Sequence, residues 1–312
     1  MKVDVFAHFL TEKYLAGYIK KNKKILDNVE VKNKAVTDIN VRLRLMDRYP
    51  DVGQVLTMAN PPLDINISPA AAAELARIGN DELAELVDTY PDKFLGAVAC
   101  LPWNNIDAAL DEVDRAIVQL RFKGIQVCTR VNGEPLGSPK FKPVFEKMAR
   151  YDLPIWIHPT PNDKLDPDHG VFSWPYETTM AMFSLVTSGI FNDFPDLKFI
   201  THHCGAMVPS FAKRIKWIMG AIPRKNDPIK NPEGHFRKFY TDTALYGNTD
   251  GLMCGYAFYG VDHLLFATDA PLGPRYGLTA ETISSIDLMP IAEADKNKIF
   301  TQNAVNLLRI AI

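Results

Sequence analysis

A chain of 312 residues is longer than most single domains but suits an α/β barrel. Hydrophobic residues make up 47% and charged residues 23%, which allows a large core and excludes a disordered chain. The formal charge of −2 excludes a broad attraction to nucleic acid or to an anionic membrane surface, so the expected partner is a small molecule.

In chain order, short β-rich apolar runs alternate with segments of helical period. The runs are VDVFAH at 3–8, VGQVLTM at 52–58, FLGAVAC at 94–100, GIQVC at 124–128, PIWIH at 154–158, LKFITHH at 197–203, RKFYTDT at 237–243 and DHLLFATD at 262–269. Between them, stretches such as AAAELARIGNDELAELVDTY, DAALDEVDRAIVQL and SPKFKPVFEKMARY return an apolar residue every three to four positions. Eight strand-helix units predict a (β/α)8 TIM barrel forming one domain over residues 1–312. Long loops are expected at 11–40 after the first strand and at 159–176 after the fifth, on the side where barrel enzymes build their sites. Cys100, Cys128, Cys204 and Cys254 are far apart and read as buried thiols. With no signal-peptide pattern and no membrane-length apolar run, the expected compartment is the cytoplasm.

Polar side chains at the C-terminal ends of barrel strands converge on one mouth. Four of the seven histidines fall there: His8 ends the first strand, His158 the fifth, and His202 and His203 the sixth, while Asp269 ends the eighth. A lone strand-end histidine is more often a packed rim residue than a ligand. The joint arrangement points to His8, His158 and Asp269 as ligands of one divalent metal, zinc first and manganese second. Of His202 and His203, strand alternation sends at most one side chain inward. His263, at the start of the eighth strand, reads as structural, and His169 and His235 fall in loops or turns. Nothing marks Cys204 as an activated thiol.

The chain resembles the amidohydrolase superfamily, in the branch of aminocarboxymuconate-semialdehyde decarboxylase and γ-resorcylate decarboxylase. The stretches that carry the likeness are GAVACLPWNN, FKGIQVCTRVNGEPLGSPKFKPVFEKMARYDLPIWIHPT, WPYETTMAMFSLVTSGIFNDFPDLKFITHHCGAMVP and VDHLLFATDAPLG. The resemblance implies one divalent metal in the barrel mouth and non-oxidative decarboxylation as a frequent activity. It places the first-strand motif on Phe6 and His8, further ligands on His158 and Asp269, and the acid/base histidine on His203 in preference to His202. It also matches Arg214 to an arginine that holds substrate carboxylates. His202 remains a candidate substrate contact.

Phe6 departs from the pattern. A histidine or glutamate is usual there, and a phenyl ring has no lone pair. Asp4 is read on the same face as Phe6 and His8, about 6.5–7 Å deeper, too far to replace the missing donor. Three ligands still suffice for a catalytic centre. The leading expectation is a carboxy-lyase for a small aromatic or unsaturated carboxylic acid, with His203 or Asp269 supplying the proton and with Phe6 and Trp174 facing the ring. The rivals are a metal-dependent hydrolase or hydratase with Asp269 as base, and a binding homologue that has lost its chemistry. No organic cofactor is expected, and a homodimer is compatible with the helical faces.

Overall fold

The computed structural model describes residues 1–311 except 28, 59–61, 161, 163–164, 166–169, 222–228 and 275–277, and except the side chains of 25, 27, 29 and 30. The barrel strands are β1 (Lys2–Phe9), β2 (Val52–Met58), β3 (Phe94–Ala97), β4 (Ile125–Cys128), β5 (Ile155–His158), β6 (Phe199–Thr201), β7 (Tyr240–Asp242) and β8 (Leu264–Leu265). All pair in parallel, in a three-stranded group from β1 to β3 and a five-stranded group from β4 to β8. Two seams join the groups. Ala99 bridges Ile125 at one. At the other, Val5 N–H donates to the Phe266 carbonyl at 3.0 Å and His8 N–H to the Ala270 carbonyl at 2.7 Å. Strand order around the axis therefore follows the sequence, as in a (β/α)8 barrel, with isolated hydrogen bonds in place of a ladder at each seam.

The predicted runs and the observed strands agree in place, and the later strands are shorter. β6 stops at Thr201 because the chain turns left-handed at His203 and Cys204, with φ of 55° and 54°. β7 starts only at Tyr240 because Pro232–Phe236, capped by the Asn231 side chain, is helical.

The barrel interior is filled by Val3, Val5, Phe6, Val55, Val98, Trp156, Ile200, Leu265 and Ala267. Trp156 is fully buried and its Nε1–H donates to the Val5 carbonyl at 2.9 Å. Truncating such a residue costs about 3–5 kcal/mol. Outside the wall, the helix Pro69–Thr89 starts where Ser68 accepts from Ala71 N–H and Pro69 presets the first turn. It buries Ala72, Leu75, Ala76, Gly79 and Leu83, a spacing of three and four that turns one face to the sheet.

Most of the described part of residues 11–40 is helical where a loop was expected. Glu12–Lys21 buries Tyr14 and Tyr18, and the side chains of Asn33 and Asp38 cap the helices Lys34–Thr37 and Ile39–Met46. The second expected loop ends early, since Ser173–Thr187 is a helix. Cys128 and Cys204 are buried, but Cys100 and Cys254 are only half-buried. Among the described residues, no helix is long and apolar enough to cross a membrane.

A register shift between Asp4 and Ala7 breaks the alternation of β1. Phe6 and His8 face the interior. Asp4 turns outward, so it does not share their face as the sequence suggested. There it accepts from Thr268 Oγ1 at 2.6 Å, Thr268 N–H at 3.1 Å, Phe6 N–H at 3.2 Å and Gln54 Nε2 at 3.4 Å. Burial pushes Asp4 up to about 6, against the Thr268 and Phe6 hydrogen bonds and the charge of Arg42.

Candidate active site

At the C-terminal end of the barrel, β1 and β5 deliver His8 and His158, the segment after β6 delivers His202 and His203, and the segment after β8 delivers Asp269. All five are buried, with His203 the most accessible at 7%. His8, His158 and His202 each offer a nitrogen within 4.8 Å of the others, and His202, His203 and Asp269 form a second such set. The trio expected from the sequence, His8, His158 and Asp269, is not itself one of these sets. It joins through His202 and through the contact of His8 Nε2 with Asp269 Oδ1 at 3.0 Å.

His202 is the hub. Its Nδ1–H donates to Asp242 Oδ2 in a short contact and its Nε2–H donates to Asp269 Oδ1 at 3.1 Å. Two carboxylate acceptors on one ring require an imidazolium. Burial opposes that charge, but Asp242 and Asp269 outweigh it and push His202 up to about 10. Burial likewise works to raise Asp269, yet His202 and His8 hold it well below the usual carboxylate range. Phe6 lies flat on His202, with ring centroids 4.1 Å apart and planes 11° apart. Phe6 is fully buried, so it supports His202 from below and gives no surface to a substrate.

Both strand-six histidines join the cluster, against the alternation rule, because the strand has ended before them. The His203 ring stacks on His202 at 4.1 Å and faces Trp174 at 6.3 Å. Its Nδ1 has no hydrogen-bond partner among the described residues. Burial, with the charge of His202 beside it, lowers His203 to about 4. The turn depends on Gly205: at φ 68°, an added Cβ would lie 2.0 Å from Tyr259 Oη.

His158 Nδ1–H donates to the Pro159 carbonyl at 2.8 Å, which leaves the lone pair on Nε2. Burial, then the nearby His8 and His202, holds it well below its ordinary range. His8 is also lowered by burial. Its Nε2–H donates to Asp269 Oδ1, and its Nδ1 accepts from Thr57 Oγ1 at 3.0 Å; because a hydroxyl can also accept, Thr57 would still pair with Nδ1 if the lone pair moved to Nε2. Neutral imidazoles with a fixed outer hydrogen bond, beside an ionised carboxylate, are the donor set that a divalent cation takes.

Sequence reasoning missed Asp242, Tyr246 and Thr57. Asp242 ends β7 in YTDT, and the strand-end rule that found Asp269 finds it too. Tyr246 Oη donates to Asp269 Oδ2 at 2.9 Å from a left-handed position, φ 51°, which no motif announces. Arg214 is exposed on the helix Ala212–Ala221, and among the described residues no hydrogen bond or ion pair joins it to the cluster. His263 is structural, stacked on Tyr240 at 4.5 Å, and His235 packs on Phe191. His169 lies outside the described residues.

The amidohydrolase family model matches residues 3–310. The chain belongs to the amidohydrolase family. Among curated relatives, this amidohydrolase is 29% identical to the gamma-resorcylate decarboxylase of Polaromonas sp. (strain JS666 / ATCC BAA-500), over 99% of this chain and 98% of the relative. It is 27% identical to the 2-amino-3-carboxymuconate-6-semialdehyde decarboxylase of Dictyostelium discoideum, over 87% and 76% of the two chains. Among solved structures, a Polaromonas dihydroxybenzoic acid decarboxylase with bound manganese and the inhibitor 2-nitroresorcinol superposes with a TM-score of 0.84 at 26% identity, over 99% of this chain and 96% of that one.

Proposed function

We propose that this amidohydrolase is a divalent-metal-dependent, non-oxidative decarboxylase of small aromatic carboxylic acids, acting as one barrel domain in the cytoplasm. The observation that carries the reading is the buried meeting of His8, His158 and Asp269 around the His202 hub at the strand ends. His8, His158 and Asp269 would hold the cation, with Thr57 and the Pro159 carbonyl fixing the two rings. When bound, that ion supplies Lewis-acid charge for the oxygens of the acid.

The two neighbouring histidines divide the remaining work. His202 has both ring nitrogens engaged by Asp242 and Asp269, so it orients Asp269 and has no nitrogen left to pass a proton to the substrate. Among the described residues His203 Nδ1 has no hydrogen-bond partner, and the ring stands next to Trp174 as the most accessible member of the cluster. An incoming carboxylate offsets the burial of His203 and raises its proton affinity. His203, once it has taken up a second proton from solvent, delivers a proton to the ring carbon that bears the carboxylate and returns to the neutral imidazole. The carbon-carbon electron pair stays with the ring, carbon dioxide leaves, and no water is consumed.

The test combines metal content and turnover. His158→Ala and Asp269→Ala should lower bound metal in elemental analysis. His203→Asn should keep the metal and slow carbon dioxide release from a panel of hydroxybenzoates by about a hundredfold. Metal content unchanged in the first two variants, or full activity in the third, removes these assignments.

A further inference from the structure

A cavity of about 470 Å³ lies outside the barrel wall, on the far side of β1 and β2 from the histidines. It is bounded by Ile39–Met46, the start of β2, Ala270–Pro271 and the first turn of the helix Thr279–Asp287. Its size is that of an ordinary small-molecule site. Leu45, Met46, Tyr49 and Val52 give it apolar walls.

Arg42 stands in this wall and is 1% exposed. Its Nε–H donates to Gln54 Oε1 at 3.0 Å and its Nη2–H to the Ala270 carbonyl at 3.3 Å. Its Nη1 is buried with no hydrogen-bond partner among the described residues. Asp4 lies near enough to act on the guanidinium by charge, but its hydrogen bond goes to Gln54 and not to Arg42, so Nη1 stays unmatched. A buried cation with an idle donor beside a cavity is costly as it stands, and a carboxylate oxygen is the group that completes it. Arg48 adds a second positive charge to the lining, which also carries Glu281.

We propose that this cavity is a second binding site, for a small aromatic monocarboxylate, with the carboxylate on Arg42 and the ring between Tyr49, Met46 and Val52. The site is separate from the histidine cluster and holds whether or not the decarboxylase reading does.

The probe is 4-bromobenzoate. In soaked crystals of the full chain, a bromine anomalous peak is expected inside the cavity. In solution, chelator-treated protein should bind 4-bromobenzoate at least about tenfold more tightly than the neutral 4-bromobenzamide. Ala280→Trp fills the cavity from an exposed position and leaves Arg42 in place. It should weaken 4-bromobenzoate by about tenfold or more, as should Arg42→Met where that variant folds. A bromine peak only at the histidines, equal affinity for acid and amide, or undiminished binding by Ala280→Trp overturns the proposal.

Discussion

Phe6 shows how one residue redirects a site. Its ring stacks against His202, whose two nitrogens are spent on Asp242 and Asp269, so the position that lacks a donor instead backs a fixed imidazolium. That charge has a stability signature of definite sign. The folded value of His202, about 10, lies above its ordinary 6.5. The stabilisation is therefore fully present below pH 6.5 and is lost as pH rises toward 10. In chelator-treated protein, the urea midpoint should fall between about pH 6 and about pH 9, and Asp242→Asn should flatten that fall. Identical slopes in the two proteins would show that Asp242 does not charge His202. The sequence already marked His202 as a strand-end group. It could not show that both nitrogens are occupied, because Asp242 and Asp269 are 40 and 67 residues away.

At the level of elements, the informative feature is the irregularity in β1. Strict alternation would keep Asp4, Phe6 and His8 on one face. The shift between Asp4 and Ala7 sends Asp4 outward, where it binds both the amide and the hydroxyl of Thr268, the residue before Asp269. Thr268 Oγ1 in turn accepts from Ala270 N–H at 3.1 Å. The turn carrying Asp269 is thus held from behind the wall. Asp4→Asn keeps the shape but replaces one acceptor oxygen with a donor that faces Thr268 Oγ1 and Gln54 Nε2. It should destabilise the fold by about 1–3 kcal/mol, read from denaturant unfolding. It should also weaken metal uptake, because Asp269 loses its support. Wild-type stability and metal affinity together would make Asp4 a bystander. Strand positions were legible from apolar runs and β-branched content. The irregularity was not, because it answers to hydrogen bonds across β1, β2 and β8 that a linear pattern does not encode.

On the scale of the whole molecule, the eightfold rhythm of runs and helices was enough to read the barrel, since each run must bury itself and each helix must cover it. Less legible were the helices of residues 11–40, whose definition comes from the side-chain caps of Asn33 and Asp38 and the burial of Tyr14 and Tyr18. The barrel seams were invisible to sequence because they rest on isolated backbone contacts, one of them between β1 and the segment after β8. The proposed ligands lie on both sides of that seam: His8 belongs to β1, Asp269 follows β8, and His158 stands across the barrel on β5. A cation held by all three binds only the folded chain, so its binding free energy adds to global stability. At a hundred times its dissociation constant the gain is about 2.7 kcal/mol, enough to move a denaturation midpoint measurably. Manganese chloride added to chelator-treated wild type should raise the urea midpoint without changing the slope. The same addition to His158→Ala should leave the midpoint nearly fixed, since one of three donors is gone. Equal shifts in both proteins would place the stabilising ion elsewhere and would deprive the histidine cluster of its proposed role.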